Sequence, residues 1–137
     1  MADTVRRIDY YYTVVPDQIG AGAKVFNALK AGGVNLIAVN AFPRFLWCAQ
    51  IDLVPSDRNT FLTTAQKAGI KLVGPKVVFL LQGEDRIGVG ADVVGKLEKA
   101  QINVIAMQAI ATSTGYGAIL WVKPRDVDKA AQALGAS

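Results

Sequence analysis

Residues 17–41 return as residues 85–109, sixty-eight positions further on, with no gap and eleven identities in twenty-five places. Composition alone would give about one or two. An internal repeat of this kind restricts the chain to a fold in which one supersecondary unit is built twice. The shared residues are of three sorts: turn glycines (Gly20 and Gly88, Gly22 and Gly90), one helix face (Val25 and Val93, Leu29 and Leu97), and an asparagine (Asn35 and Asn103). What was duplicated is a structural unit with a particular loop at its head. At 137 residues, 52% of them apolar and 19% charged, the chain has material for two small modules that bury much of themselves together.

The element order follows from pattern. Residues 8–15, rich in tyrosine, threonine and valine, suit a pleated surface and read as a strand. Pro16-Asp17 breaks it. Residues 23–31 predict a helix with Val25, Phe26 and Leu29 inward, closed by Gly32-Gly33 in the manner of a left-handed cap. Residues 34–41 and 47–54 read as strands, with Pro43-Arg44 in the connection between them. Ser56 or Asp57 can cap a second helix whose Phe61, Leu62 and Ala65 face inward, and Ala68-Gly69 closes it before a short strand at 70–73. The second unit repeats the scheme, with strands at 77–81, 103–110 and 116–123 and helices at 91–100 and 126–134. No counterpart of the strand at 70–73 follows. Residues 4–8, or a strand from a second copy of the chain, are expected to fill that place, because a bare sheet edge invites unwanted pairing.

The fold class expected is therefore α+β: two ferredoxin-like βαββαβ units in tandem, over residues 1–75 and 76–137. Each has an antiparallel sheet with its helices on one face, and the second lacks its last strand. The strands do not alternate apolar with polar. Residues 77–81, 36–39 and 104–107 are unbroken apolar runs, which implies cover on both sides, between units and between whole chains. Tyr10, Tyr12, Trp47 and Trp121 are either interface aromatics or ordinary core.

Composition also excludes several functions. The net charge of +4 is mild and its fifteen basic residues are scattered, with Arg6-Arg7 the only adjacent pair, so the chain lacks the continuous basic face that nucleic acid requires. Gly20-Ala21-Gly22 after a strand suggests a dinucleotide turn, but Val25 stands where the third glycine belongs and no acidic residue closes the next strand. There is no histidine, which leaves catalysis to scattered carboxylates; an enzyme is not expected, and neither a metal nor a cofactor is implied. Cys48 lies in an apolar strand and reads as a buried thiol. No run of eighteen apolar residues and no apolar leader is present, so a soluble cytoplasmic protein without a membrane partner is expected.

The two units share a further pattern: Asp-x-x-Gly at a strand-to-helix turn, a short apolar helix, then hydrophobic-Asn-hydrophobic at the next strand. It reads Asp17-Gln18-Ile19-Gly20 with Val34-Asn35-Leu36, and Asp85-Arg86-Ile87-Gly88 with Ile102-Asn103-Val104. This resembles the ACT domain, here in tandem over residues 8–134. The resemblance implies a regulatory module that binds an amino acid or related small metabolite between paired domains, with the ligand's charged ends meeting the turn and the asparagine. Asp17, Gln18, Ile19, Gly20, Asn35, Asp85, Arg86, Ile87, Gly88 and Asn103 are the implied ligand-binding residues. Proline often precedes the motif glycine in this family, where Ile19 and Ile87 stand here. The unbroken apolar strands further predict a homo-oligomer, a dimer, and the lack of an attached enzyme or DNA-binding domain leaves a separate effector protein, or none, as the expected partner. The turn chemistry agrees, since free amides at a helix start suit a carboxylate and an asparagine both donates and accepts. The competing expectation is a structural or interaction scaffold that binds no small molecule.

Overall fold

The computed structural model describes residues 3–137. In order along the chain are β1 (Thr4–Pro16), α1 (Ala21–Ala31), β2 (Leu36–Arg44), β3 (Cys48–Pro55), α2 (Arg58–Ala68), β4 (Val73–Gly83), α3 (Val89–Lys99), β5 (Val104–Thr112), β6 (Gly115–Val122), a short 3-10 turn (Pro124–Asp126) and α4 (Val127–Leu134). The strands are antiparallel and the chain divides into two compact bodies. The first module is Asp9–Lys76; the second joins the chain's start, up to Ile8, to Val77–Ser137.

In the first module the strand order is β2-β3-β1-β4, with Tyr11 opposite Leu53 and Val39 opposite Leu53 on its other side. Helices α1 and α2 pack together over one face. Their inward residues Val25, Leu29 and Phe61 meet Tyr11, Ile51 and Leu53 of the sheet, while Phe26 and Leu62 pack at the margin. In the second module the order is β1-β4-β6-β5, and Val5, Phe79, Leu81, Val93, Leu97, Leu120 and Leu134 are among the residues that form its core. The place of the missing last strand is taken by the start of β1. Its backbone is tied to the chain's end, where Arg7 N–H donates to the Ser137 carbonyl and Ser137 N–H to that of Val5, both at 3.1 Å.

The duplication extends to fine detail. Register shifts interrupt β2 between Leu36 and Ala38 and β5 between Val104 and Ala106, the same place in each unit. Helices α1 and α3 end with the same pair of bonds, Gly33 N–H to Lys30 and Val34 N–H to Leu29 in one, Gln101 N–H to Glu98 and Ile102 N–H to Leu97 in the other. Gly33 takes a left-handed φ of 76°, and Gln101 adopts 61° in the same role without a glycine's freedom. The copies part at the hairpin. Phe45, Leu46 and Trp47 join β2 to β3, whereas Ser113 and Thr114 alone join β5 to β6, so the offset falls by one residue beyond it.

Several expectations are corrected. Residues 70–73 and 77–81 are not two strands: β4 runs unbroken from Val73 to Gly83, because the fixed φ of Pro75 is compatible with extended chain and ends nothing. Pro43-Arg44 belongs to β2 rather than to a connection, as an edge strand tolerates a missing N–H. β1 begins at Thr4, four residues earlier than the apolar pattern indicates, because only Val5 there faces a core. Cover on both faces holds for the buried run Val78 to Leu81 but not for β2 and β5, where Ile37, Val39, Phe42, Ile105, Met107 and Ile110 are exposed. Tyr10 and Trp121 are buried, Tyr12 lies under the Lys76 ammonium at 5.5 Å, and Trp47 stands 89% exposed. Cys48 is half-buried rather than buried, and its thiol reaches the Leu46 carbonyl at 3.3 Å.

Phe61 has no exposed surface and lies 5.3 Å from the Tyr11 ring, so Phe61→Ala is expected to cost about 3–5 kcal/mol in urea unfolding. Gln101→Gly should stabilise by about 1 kcal/mol through relief of the left-handed backbone. Removal of residues 1–7 should lower the unfolding midpoint of the second module, seen as lost hydrogen-exchange protection in β4.

Candidate functional site: the two strand-to-helix turns

Each Asp-x-x-Gly segment leaves the end of its first strand and turns the chain into a helix. Gly20 and Gly88 occupy the residue before α1 and α3, both left-handed, at φ 90° and 82°. That conformation is open to glycine and strained for other residues, which accounts for the repeated glycine. Asp17 and Asp85 do not cap these helices; neither α1 nor α3 has a side-chain cap, so the opening amides are not met by a side chain. The first turn is braced by its own backbone. Asp17 N–H donates to the Trp47 carbonyl at 2.8 Å, Gln18 N–H to Pro16 at 2.9 Å, and Ala21 N–H to Gln18 at 3.2 Å. Ile19 and Ile87 project from the tips fully exposed, at 106% and 104%.

The asparagines lie elsewhere. The Asn35 carbonyl accepts from Ser56 N–H at 2.9 Å and from the Ser56 hydroxyl at 3.2 Å, and this fixes it at the Pro55 end of β3. The turn Asp17–Gly20 sits at the Cys48 end, where Pro16 pairs with Cys48. The eight residues of β3 separate the two by roughly 23 Å at 3.3 Å per step. Asn103 stands at the corresponding end of the second module, before β5, and both asparagines are exposed. A single module therefore brings Asp17, Gln18, Ile19 and Gly20 together, and separately Asp85, Arg86, Ile87 and Gly88, but does not bring its own asparagine to its own turn.

The second turn differs electrostatically from the first. Arg86 grips Asp3 with two bonds, Nη1 to Oδ1 at 3.0 Å and Nη2 to Oδ2 at 3.1 Å, and approaches Asp92 at 3.5 Å. The Asp3 side chain is only 8% exposed. The guanidinium holds the Asp3 carboxyl below its ordinary range against the opposing effect of burial, and the same bond raises Arg86. Burial, followed by the charge of Asp3, pushes the Tyr116 hydroxyl up. In the first module Gln18 stands in Arg86's place and no such pair forms. Asp57 caps α2 by accepting from Asn59 N–H at 3.1 Å and the Thr60 hydroxyl at 2.8 Å, and these bonds lower its carboxyl.

Three features escape the sequence pattern. Asp3 lies outside the repeat. Asp52, 4% exposed, accepts from Gln50 at 2.7 Å and Asn40 at 3.2 Å; its one legible signal is a lone charge inside Ile51-Asp52-Leu53-Val54. The hairpin Phe45-Leu46-Trp47 is exposed throughout, with Leu46 and Trp47 left-handed at φ 65° and 59°. Among the described residues no group of three metal-ligating side chains forms, and no helix is long and apolar enough to cross a membrane.

The architecture has counterparts among solved structures. Protein BT0572 from Bacteroides thetaiotaomicron superposes with a TM-score of 0.79 at 16% identity, over 97% of this chain and 88% of that one. The regulatory subunit of aspartate kinase from Thermus thermophilus, in ligand-free form, gives 0.67 at 18%, over 98% and 95%. What is shared is the fold, a ferredoxin-like β-α-β-β-α-β unit built twice. Aspartokinase III from E. coli, in complex with lysine and aspartate, superposes at a TM-score of 0.58 and 18% identity over 98% of this chain, which spans 32% of that enzyme. No protein-family model and no curated protein matches the sequence.

The carboxyl of Asp3 is lowered from its ordinary value of 3.8, so the unfolded chain binds its proton first. The stability it contributes is complete above pH 3.8 and is lost as pH falls through the depressed folded value. Urea unfolding across that range should show a shallower acid limb, and lower stability at neutral pH, for Asp3→Asn.

Proposed function

We propose that the chain is a non-catalytic regulatory protein that binds an amino acid or a related small metabolite at its Asp-x-x-Gly turns and passes the change to a separate effector protein. The observation that carries this reading is the pair of turns itself: the same uncapped helix start, left-handed glycine and fully exposed isoleucine, twice, within an ACT-type fold. A ligand carboxylate meets the opening amides of α1, where the helix dipole favours negative charge. Asp17 takes the ammonium group. The solved relatives support the regulatory part of the reading, since one is a regulatory subunit of aspartate kinase and another an aspartokinase in complex with lysine and aspartate.

The asparagine end of a module lies far from its own turn, so the second half of the site comes from a partner surface. A second copy of the chain fits this need. The exposed apolar residues of β2 and β5 give it a surface to cover, and pairing at those edges satisfies backbone groups as well as side chains. A ligand shared between copies shifts the effector only if it binds two states with different affinity.

A scaffold without a small ligand is favoured by one specific feature, the Phe45-Leu46-Trp47 hairpin, which offers three large apolar side chains to a protein partner and has no counterpart in the second module.

A thermal-shift screen of the twenty amino acids distinguishes the two. One amino acid at a hundred times its dissociation constant should add about 2.7 kcal/mol of stability. The gain should vanish in Asn35→Ala or Asn103→Ala, and the chain should sediment as a dimer that Ile37→Asp dissociates. Silence across the panel, with dimerisation intact, leaves the scaffold.

A further inference from the structure

The Asp3–Arg86 pair is more than a surface ion pair. Its carboxylate is seated in a cradle made by three residues of the second module. Arg86 supplies a two-bond fork at 3.0 and 3.1 Å, and its guanidinium is held in place by the Glu84 carbonyl at 3.3 Å and Asp92 at 3.5 Å. Gly83 supplies the floor: a Cβ there would overlap the Asp3 carboxylate and come within 2.9 Å of the Tyr116 ring. Tyr116 supplies a buried hydroxyl that lies beside the Asp3 carboxylate. The first module lacks all three parts. Val15 stands for Gly83, Gln18 for Arg86, and Ala49 for Tyr116, by the shared pairing of Val15 with Ala49 and Gly83 with Tyr116. The cradle also borders an open hollow of about 460 Å³ whose lining includes Thr4, Gly83, Glu84, Thr112 and Tyr116.

We propose that this cradle is a carboxylate-binding site whose resident occupant is the chain's own Asp3, and that the carboxylate of a small free molecule, an amino acid in the first instance, displaces it. A planar fork matches a carboxylate with two parallel bonds, and one carboxylate excludes another from it. A free carboxylate seated in place of Asp3 would also face the Tyr116 hydroxyl, which can donate to it. Asp3 is tethered and always near, so a free carboxylate sees only the fraction of molecules in which the cradle stands open. The second turn thereby responds at higher ligand concentration than the first, and two repeats of one fold acquire two thresholds. The inference rests on the second turn being a ligand site, but its test is independent of the first.

The experiment follows the Arg86 guanidinium resonances by NMR in the full chain, titrated with sodium acetate and L-aspartate against sodium chloride at equal ionic strength. With Asp3→Ala added, acetate and L-aspartate should saturate the Arg86 signal at a concentration at least about tenfold lower than with Asp3 present, and chloride should not. Arg86→Ala in the Asp3→Ala background, read on the Gly83 and Tyr116 amides, should abolish the response. Asp3→Asn serves where Asp3→Ala does not fold. Equal titrations with and without Asp3, a response that survives loss of Arg86, or failure of both Asp3 variants to fold each overturn the proposal, the last by making the contact structural. Amino-acid stabilisation that depends on Asn35 and ignores Asp3 would keep the functional reading and sink this one. An Arg86-dependent response in a chain that no amino acid stabilises would do the reverse.

Discussion

The burial of Val5 and the pairing of residues 4–8 inside the second module is the constraint on which the other features rest. Those residues have no counterpart in the repeat, yet without them β4 would lack its neighbour, and the core of Leu81, Leu97 and Leu134 would lose a wall. The two backbone bonds to Ser137 hold that strand from its other side. One consequence is that the second module is not a contiguous stretch of chain. β1 and β4 each give one part of their length to one body and the rest to the other, with no linker between. A second consequence is positional: only because β1 is held there does Asp3 arrive at Arg86.

Much of this could be read in advance, and for definite physical reasons. The helices were legible because their inward residues recur at the helical period, with Val25 and Leu29 matching Val93 and Leu97, and because Gly33 and Gly69 mark their ends. The βαββαβ order followed from the repeat, and so did the strand missing from the second unit. The boundaries of β4 and β2 were not legible, since proline reads as a breaker in sequence, whereas Pro43 sits in an edge strand and Pro75 precedes Phe79, where the pairing with β6 begins. Nor was the uncovered state of β2 and β5. A run such as Leu36-Ile37-Ala38-Val39 announces burial without saying which molecule provides it.

The turns were legible as a pair and not as individuals. The repeated Asp-x-x-Gly located both, but the sequence sets Gln18 and Arg86 in equivalent places without disclosing that Arg86 is already engaged. That partner, Asp3, lies eighty-three residues away and outside the duplicated segment. Asp17 and Asp85 take no capping role, which separates them from Asp57, an aspartate in a similar local setting that does cap its helix. The asparagines were placed correctly at the openings of β2 and β5, and only the topology reveals that a strand's length lies between them and the turns of the same module. Duplication kept the scaffold and let the charge on it diverge.

The bond between Ser137 and Val5 has a bearing on how the molecule can be cut and rejoined. Because the carboxyl end and the opening strand are hydrogen-bonded neighbours, a short peptide can span them without distorting either. The exposed Phe45-Leu46-Trp47 hairpin then offers a natural place to reopen the chain. A circular permutant made in this way would carry its free ends between β2 and β3 of the first module, with its opening strand held in covalent continuity rather than by adjacency alone.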